Sequence, residues 1–482
     1  MKLKNKSLFR QQNYINGQWV DAKEGGIFDV LNPFDNSKIG TAPMMGQAET
    51  ERAIEAAALA FQSWKQKTAE ERCALVRRWA DLIEANKQDL AIIMTMELGK
   101  PVKESIGEID YGNSFNYWFA EEGRRIYGDV IPTHMNDRRL LVVKQPVGVC
   151  AAITPWNFPH AMITRKAAPA LVAGCTIVIK PAEATPYSAL ALAVLAEEAG
   201  IPPGVINIVT GDPVAIGQVF STHPAVKKLS FTGSTRVGKI LMKQASDTVK
   251  KLSLELGGNA PFIVFEDADV DAAVLGLMVA KFRNTGQACV AANRVYVHDE
   301  VYDAFVKKLI PLVEAFKLGN GLIEGSTMGP LINQAAVDKV DALVQDAVLK
   351  GGKVLCGGAR DPISPNAYKP TILVNLPAGV RISCEEIFGP VIAMYRFKDE
   401  ADVIAQANNT EYGLASYFYS RDIGRVWRVA EALDYGMVSI NQGLFSVASA
   451  PFGGVKESGF GREGSKYGVE DYVKIKYLCM GI

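Results

Sequence analysis

A single cysteine in the segment NTGQACVAANR, residues 284–294, is the first residue whose surroundings suggest chemistry. Cys289 lies among small and polar residues, and Gly286 precedes it by three positions. A thiol acts as a nucleophile in its thiolate form, so it needs a base or an electropositive setting. The nearest histidine in sequence, His298, lies beyond a predicted strand. The sequence therefore leaves open which group assists this cysteine.

Two further side chains are of a type that could assist a nucleophile. Glu255 ends an apolar run in SLELGG, where partial burial would raise its pKa and make it a usable base. Asn157 stands in the turn TPWNFP, and its amide could donate to an oxyanion. Both have ordinary alternatives, since such a glutamate often pairs with a core arginine and a turn asparagine often binds its own backbone.

Two strand ends carry residues suited to a dinucleotide. In LSFTGSTRVGK a strand ends at Phe231, and the turn at Gly233 and Ser234 leads into a helix whose first amides could hold a pyrophosphate. In TIVIKPAEATP, Lys180 and Glu183 follow a strand and could address ribose hydroxyls. A carboxylate there would repel a 2′-phosphate, which favours NAD over NADP. The alternative for Gly233 is that it is needed only for backbone geometry, and the alternative for Lys180 and Glu183 is that they are solvated loop charges.

The bulk composition excludes several classes of function. The 482 residues include 52 Lys+Arg and 52 Asp+Glu, so the net charge of +0 argues against a protein built to grip nucleic acid or an acidic membrane. Seven cysteines without CxxC spacing and four histidines without ligand spacing predict no metal site and a reducing compartment. The chain has no signal-like apolar region, so we predict a soluble, cytoplasmic protein that acts on a small molecule.

The elements that must position these residues alternate in type. Helical periodicity predicts helices over 48–63, 69–97 and 102–120. From residue 148, short apolar runs alternate with helical patterns, which predicts parallel strands joined by crossover helices and ligands bound beyond the carboxyl ends of the strands. A second alternating stretch spans about 260–440. A hairpin pattern at 129–147 and an apolar strand at the C-terminus are candidates for pairing with another subunit.

Seven motifs together resemble the NAD(P)-dependent aldehyde dehydrogenase superfamily, in order and spacing, across essentially the whole chain. They are TPWNFP, KPAEATP, FTGSTRVG, LELGGNAPFIV, GQACVAANR, EEIFGPV and PFGGVKESGFGREG. The segments MITRKAAPALVAGC and GREGSKYGVEDYVKIKY make it most similar to the succinate-semialdehyde dehydrogenases. The resemblance implies an α/β fold with three parts: a Rossmann-type doubly wound NAD-binding domain, a second α/β catalytic domain and a small β oligomerisation element. The expected bounds are 1–123 with 146–256, then 257–450, then 124–145 with 465–482.

The resemblance also implies a role for each candidate residue. Cys289 matches the nucleophile, Glu255 the general base, and Asn157 with the Cys289 backbone N–H the oxyanion donors. The cofactor is expected to contact Thr154, Pro155, Trp156, Lys180, Glu183, Gly233, Ser234, Gly257, Glu386 and Phe388. Some NADP-preferring relatives have serine at the position of Glu183, which again favours NAD, with NADP less favoured. Relatives with a second cysteine two positions after the nucleophile form a disulfide switch, and Ala291 removes it here.

The substrate implied is succinate semialdehyde. Arg165 and Arg283 match arginines that bind the far carboxylate, with Ser446 as a third candidate; ordinary ion pairing is the alternative role for both arginines. Glutarate semialdehyde or another aldehyde is the alternative substrate. A cofactor-independent thiol hydrolase and a non-catalytic binding or structural role are alternatives of other classes. The resemblance further implies a homo-oligomer, a dimer or a dimer of dimers.

Overall fold

The computed structural model describes residues 3–482 and opens with two hairpins and a group of helices. The first turn contains Asn16 and Gly17, both with positive φ (52° and 74°), as the tight hairpin turn requires. The elements are β1 (Asn13–Ile15), β2 (Gln18–Val20), β3 (Ile27–Leu31), β4 (Lys38–Pro43), α1 (Gln47–Trp64), α2 (Ala69–Ala85), α3 (Lys87–Leu98) and α4 (Val102–Glu122).

One predicted helix is in fact two. The sequence predicts a single helix over 69–97, but α2 ends at Ala85 and α3 begins at Lys87. Asn86 between them leaves the helical conformation (φ −103°, ψ 11°), and its side-chain amide donates to the Leu82 carbonyl oxygen at 2.9 Å. An asparagine side chain that binds nearby backbone competes with helix continuation, and the apolar periodicity across residue 86 does not reveal this.

A strand–helix series forms the first large sheet. Its members are β7 (Val149–Ile153), α5 (Ala161–Ala173), β8 (Thr176–Lys180), α6 (Pro186–Glu198), β9 (Ile206–Ile208), α7 (Pro213–Thr222), β10 (Val226–Thr232), α8 (Thr235–Ala245) and β11 (Lys251–Glu255). Strands β9, β8, β7, β10 and β11 lie side by side in this order and are all parallel. From β7 the chain adds β8 and β9 on one side, and it then returns to add β10 and β11 on the other side of β7. The carboxyl ends of β7 and β10 therefore flank the crevice in which such sheets bind ligands.

The second large sheet follows directly after β11. Its elements are β12 (Ala260–Val264), α9 (Val270–Phe282), β13 (Ala292–His298), α10 (Asp299–Glu314), α11 (Gln334–Leu349), β14 (Lys353–Cys356), β15 (Thr371–Val374), β16 (Val391–Phe397), α12 (Glu400–Asn408), β17 (Tyr412–Gly413), β18 (Ala415–Tyr419), α13 (Ile423–Ala432) and β19 (Met437–Ile440). The sheet order is β14-β15-β16-β13-β12-β18-β19, and all pairs except β14–β15 are parallel.

A third, small sheet is antiparallel. It consists of β5 (Asp129–Ile131), β6 (Arg138–Pro146) and the last strand, β22 (Val473–Gly481), in the order β22-β6-β5. Before β22 the chain forms β20 (Val455–Lys456), β21 (Gly459–Phe460) and α14 (Tyr467–Glu470), and β21 pairs with β11 in the first sheet. Across residues 3–482, none of the helices combines the length and apolar character needed to cross a bilayer.

Candidate active site

A cavity of about 400 Å³ opens where the first sheet reverses its strand order. The loops after β7 and β10 form one wall, and the loop that carries Cys289 forms another. Nine of the predicted residues line this cavity: Pro155, Trp156, Asn157, Gly233, Ser234, Gly257, Cys289, Glu386 and Phe388. The two separate predictions, a thiol centre and a dinucleotide crevice, thus concern one site.

The loop that presents Cys289 has an unusual backbone. Asn284 and Thr285 are consecutive non-glycine residues in the left-handed region (φ 52° and 58°), and Gly286 continues with φ 76°. Such backbone is held only where the surroundings enforce it. Here the Asn284 N–H donates to Glu104 at 2.7 Å, and the Thr285 hydroxyl donates to the Gly329 carbonyl at 3.0 Å. The loop is therefore fixed before any ligand binds.

The Cys289 side chain is partly exposed to the cavity but sits among acidic groups. Burial, followed by the charges of Glu386 and Glu255, raises the pKa of its thiol to about 12, although Arg165 and Arg283 act in the opposite direction. The cysteine is consequently a thiol rather than a thiolate at neutral pH in the ligand-free protein. A bound group that brings positive charge, or a base that accepts the proton, is required for its activation.

Asn157 links the turn after β7 to the cysteine loop. Its side-chain amide donates to the Gln287 carbonyl at 3.0 Å, and its own backbone carbonyl accepts from the Asn284 side chain at 2.9 Å. The residue is 3% exposed. An amide NH₂ has two hydrogens, so one remains for an oxyanion formed at the thiol.

Glu255 ends β11 and is buried, and neither of its carboxylate oxygens has a hydrogen-bond partner within residues 3–482. Burial raises the pKa of this carboxyl well above its usual range, and the neighbouring charge of Glu463 raises it further. A raised pKa means that the carboxyl group loses its proton less readily and that its ionised form is a stronger base. This property suits general base catalysis.

A buried charge cluster near Glu255 is not predicted from the sequence. Glu463 lies between two cations, with Arg165 Nη2 and Lys166 Nζ each 2.5 Å from one of its oxygens, and Lys166 also donates to the Thr232 hydroxyl at 2.6 Å. Burial alone would raise the pKa of Glu463, but the two cations hold it below its usual range. Glu463 is therefore the charged carboxylate and Glu255 the protonatable one.

The other end of the cavity fits a nicotinamide dinucleotide. Glu386 accepts a hydrogen bond from the Gly258 N–H at 3.1 Å, and the Phe388 ring packs edge-on against Trp156 with centroids 5.6 Å apart. A Cβ on Gly258 would come within 2.4 Å of the Cys289 carbonyl oxygen, so this close approach requires glycine. Carboxylate, aromatic and open backbone features of this kind match ribose hydroxyls and a flat ring.

At the carboxyl end of β10, Ser234 is the N-cap of α8 and accepts a hydrogen bond from the Val237 N–H at 3.4 Å. Its hydroxyl oxygen therefore caps the helix while the O–H can still donate, and Ser234 itself lines the cavity. At the end of β8, Lys180 donates to Glu183 and to the Pro181 carbonyl. Thr154, after β7, keeps a buried hydroxyl without a partner in the described part of the chain. Lys180, Glu183 and Thr154 lie outside the lining of the 400 Å³ cavity.

The residues predicted to bind a substrate carboxylate lie in two places. Arg283 and Ser446 line a narrow crevice together with Tyr417 and Phe445, and the Arg283 guanidinium lies 5.0 Å from the centre of the Phe158 ring. Arg165 lies instead against Phe452, at 4.0 Å from the ring centre, and is ion-paired with Glu463. The substrate role of each of these residues stays a prediction.

Comparison with known proteins agrees with this architecture. The sequence model of the aldehyde dehydrogenase family matches residues 19–478. A succinate-semialdehyde dehydrogenase (NADP(+)) of Escherichia coli K12 is 58% identical over 482 residues, and a glutarate-semialdehyde dehydrogenase of Pseudomonas putida KT2440 is 60% identical, each aligned over 100% of both chains. The crystal structure of succinate-semialdehyde dehydrogenase from Burkholderia pseudomallei superposes with a TM-score of 0.99 at 57% identity, covering 100% of both chains. A cavity that contains a thiol and lies beside a buried carboxylate is thus set in a fold shared with these enzymes, and the chain belongs to the aldehyde dehydrogenase family.

Proposed function

We propose that this protein oxidises succinate semialdehyde to succinate with NAD(P), through a covalent intermediate on Cys289. The observation that carries the proposal is a partly exposed thiol in the cavity that fits the cofactor, with the buried Glu255 directly before the lining residues Leu256 and Gly257. Relatives named for succinate semialdehyde and for glutarate semialdehyde are both about equally similar. Glutarate semialdehyde is one methylene longer, a difference worth only about 1 to 3 kcal/mol in a hydrophobic pocket, so it is the alternative substrate.

The residues support a two-stage reaction. The Cys289 thiol releases its proton to water as the sulfur adds to the aldehyde carbon, and the Asn157 amide and the Cys289 backbone N–H stabilise the resulting oxyanion. Glu386, Phe388 and Trp156 would hold a nicotinamide cofactor beside this carbon, and that group would supply the oxidation as a hydride acceptor, so that the substrate carbon becomes a thioester of Cys289. Glu255 then takes a proton from water, and the hydroxyl adds to the thioester carbon. The sulfur leaves, the carboxylic acid forms and the thiol is restored.

The carboxylate of the substrate needs a cation at the far end of the pocket. Arg283 lies six residues before Cys289 and projects into the crevice shared with Ser446. Its guanidinium has no carboxylate partner within 4.0 Å in residues 3–482, in contrast to Arg165. This free donor set favours Arg283 over Arg165 as the principal substrate contact.

Arg283→Ala is expected to lower kcat/KM for succinate semialdehyde by about 10- to 100-fold, because a charge-assisted hydrogen-bonded pair is lost. Activity with propanal, which has no carboxylate, should stay within about twofold under the same conditions. Nucleotide reduction with succinate semialdehyde, glutarate semialdehyde and propanal measures both effects. An equal loss with all three aldehydes would assign Arg283 a structural role. Thioester hydrolysis without any dehydrogenase activity in the native protein would favour the thiol hydrolase instead.

We further propose that NAD is preferred over NADP. Glu183 is paired with Lys180 at the end of β8, so a 2′-phosphate arriving there would meet a carboxylate and a lysine that is already engaged. The similar E. coli enzyme is named for NADP(+), so the preference of this chain needs its own test.

Glu183→Ser is expected to improve kcat/KM for NADP by roughly tenfold and to change kcat/KM for NAD little. The substitution removes the repulsive charge and frees the Lys180 ammonium for the phosphate. Initial rates over a range of each nucleotide at saturating aldehyde provide the measurement. If the native protein already uses NADP as well as NAD, the preference for NAD is wrong.

We propose that the protein is a homo-oligomer that uses the small antiparallel sheet. Along β22 the side chains of Ile475, Tyr477 and Met480 are exposed, and the strand pairs only with β6 along its length in residues 3–482. Exposed apolar side chains on a long edge strand favour association with another chain. Light scattering on the purified protein at micromolar concentration tests this, and a monomer would contradict it.

A further inference from the structure

A second cleft lies at the C-terminal end of α5, between the helices α1 and α2 and the small antiparallel sheet. Its volume is about 470 Å³, within the range of small-molecule sites. It is lined by five basic side chains and by no acidic ones, and we call it the basic cleft. The basic residues are Lys65, Arg72, Arg124, Lys144 and Lys474.

The charges of the basic cleft are largely uncompensated. Arg124 is within 3.2 Å of Glu70, but none of the other four cations has a carboxylate oxygen within 4.0 Å among residues 3–482. The whole chain has a net charge of +0, so five cations around one cleft are a local excess of positive charge. Cations that line one cleft repel each other and produce a positive electrostatic potential inside it. This potential attracts an anion.

Arg72 gives the basic cleft a fixed donor. Its Nε donates to the Val172 carbonyl at 3.0 Å, and its Nη1 donates to the Lys67 carbonyl. Carbonyl groups orient the guanidinium without neutralising it. Gly174 lies directly beneath, where an added Cβ would be 3.4 Å from the Arg72 Cζ. The guanidinium is therefore positioned in advance, with its planar fork suited to phosphate oxygens.

The antiparallel sheet supplies two further cations. Lys474 on β22 pairs in register with Gln145, the neighbour of Lys144 on β6. Both lysines lie in the cleft lining, on the side opposite α1 and α2. Since adjacent strand residues point to opposite faces, Lys144 and Lys474 leave the sheet from different faces, and both border the cleft as flexible ammonium groups. Several cations around one cleft suit a ligand with several negative charges rather than a single carboxylate.

From this arrangement we propose that the basic cleft binds a small anion with two or three linked phosphate groups, either as free polyphosphate or as the phosphate tail of a nucleotide. The charge count, the uncompensated cations and the preset Arg72 fork carry the proposal. This site is separate from the cofactor cavity and does not depend on the proposed reaction.

Isothermal titration of the full chain with inorganic tripolyphosphate tests the proposal, in saturating NAD so that the cofactor cavity is filled. Native protein is expected to bind, and the double variant Lys144→Gln, Lys474→Gln is expected to bind about tenfold more weakly. A matched double variant, Lys307→Gln with Lys353→Gln, removes two exposed lysines outside the cleft and should stay within about twofold of native. Circular dichroism confirms that each variant is folded.

A parallel titration with ATP distinguishes the two sources of phosphate. Tighter binding of ATP than of tripolyphosphate, lost in the cleft variant, assigns the site to nucleotides, and the reverse order assigns it to free polyphosphate. No binding of either ligand by native protein at millimolar concentration overturns the proposal. Equal binding by the native protein and the cleft variant overturns it as well. Because binding is measured without turnover, neither outcome depends on whether succinate semialdehyde is a substrate.

Discussion

Cys289→Ala is expected to abolish aldehyde oxidation, with a loss in kcat of about 10⁴-fold or more, because the cavity lining contains no second thiol to form the thioester. The 400 Å³ cavity contains one cysteine, and the other six lie elsewhere in the chain. Binding of NAD should be retained, since the thiol is only one of the residues that line the cavity. Steady-state rates and calorimetric titration of NAD measure the two properties separately.

Cys384→Ala is the matched control, because Cys384 is an exposed free cysteine outside the cavity. It should keep activity within about twofold of native. Oxidation of aldehyde by the Cys289→Ala protein above a few per cent of the native rate would show that the reaction does not pass through this thiol. Loss of NAD binding in the same variant would show that the substitution disturbs the strained loop rather than the chemistry alone.

The position of the site was predictable because parallel strands align their carboxyl ends. TPWNFP follows β7 and FTGSTRVG includes the end of β10, and these strands are neighbours at the point where the order reverses. An alternating strand–helix pattern is enough to place both motifs at one edge of the sheet. The family itself was recognisable from seven motifs in order, and the comparisons confirm it.

The charge cluster was not predictable in this way, because its members are distant in sequence. Lys166 and Glu463 are 297 positions apart, and only the passage of the C-terminal segment beside α5 and β11 brings them together. Both residues stand inside motifs that the sequence analysis quotes, MITRK and GREG. A buried lysine needs a partner, but the apolar periodicity of the sequence does not show that Lys166 is buried.

The same limit applies to the backbone of the cysteine loop. Asparagine tolerates a left-handed conformation but the β-branched threonine rarely adopts one, and two non-glycine residues of this conformation in succession before Gly286 are uncommon. Their conformation results from tertiary contacts, including the bond from the Asn284 N–H to Glu104 on α4. The sequence indicated Cys289 as a candidate nucleophile but not the backbone contacts that hold its loop.

Glu255→Gln is expected to separate the two stages of the reaction. Glutamine has nearly the same shape but cannot accept the proton of water, so hydrolysis of the thioester should slow by about 10²- to 10⁴-fold. Formation of the thioester and the accompanying hydride transfer should proceed to about one turnover per active site. Rapid-mixing absorbance of the reduced nucleotide is expected to show a burst of stoichiometric size followed by a very slow steady state.

The pH profile distinguishes a base from a merely structural carboxylate. The raised pKa of Glu255 means that the group is protonated and inactive at low pH, so the native rate should rise as pH increases through that pKa. The Glu255→Gln protein should lose this limb, because glutamine does not titrate. Glu300→Gln, at an exposed position on α10, should keep both the rate and the limb. A variant at position 255 that is slow but retains the native pH limb would place the base elsewhere, with Glu463 as the next carboxylate in the cluster.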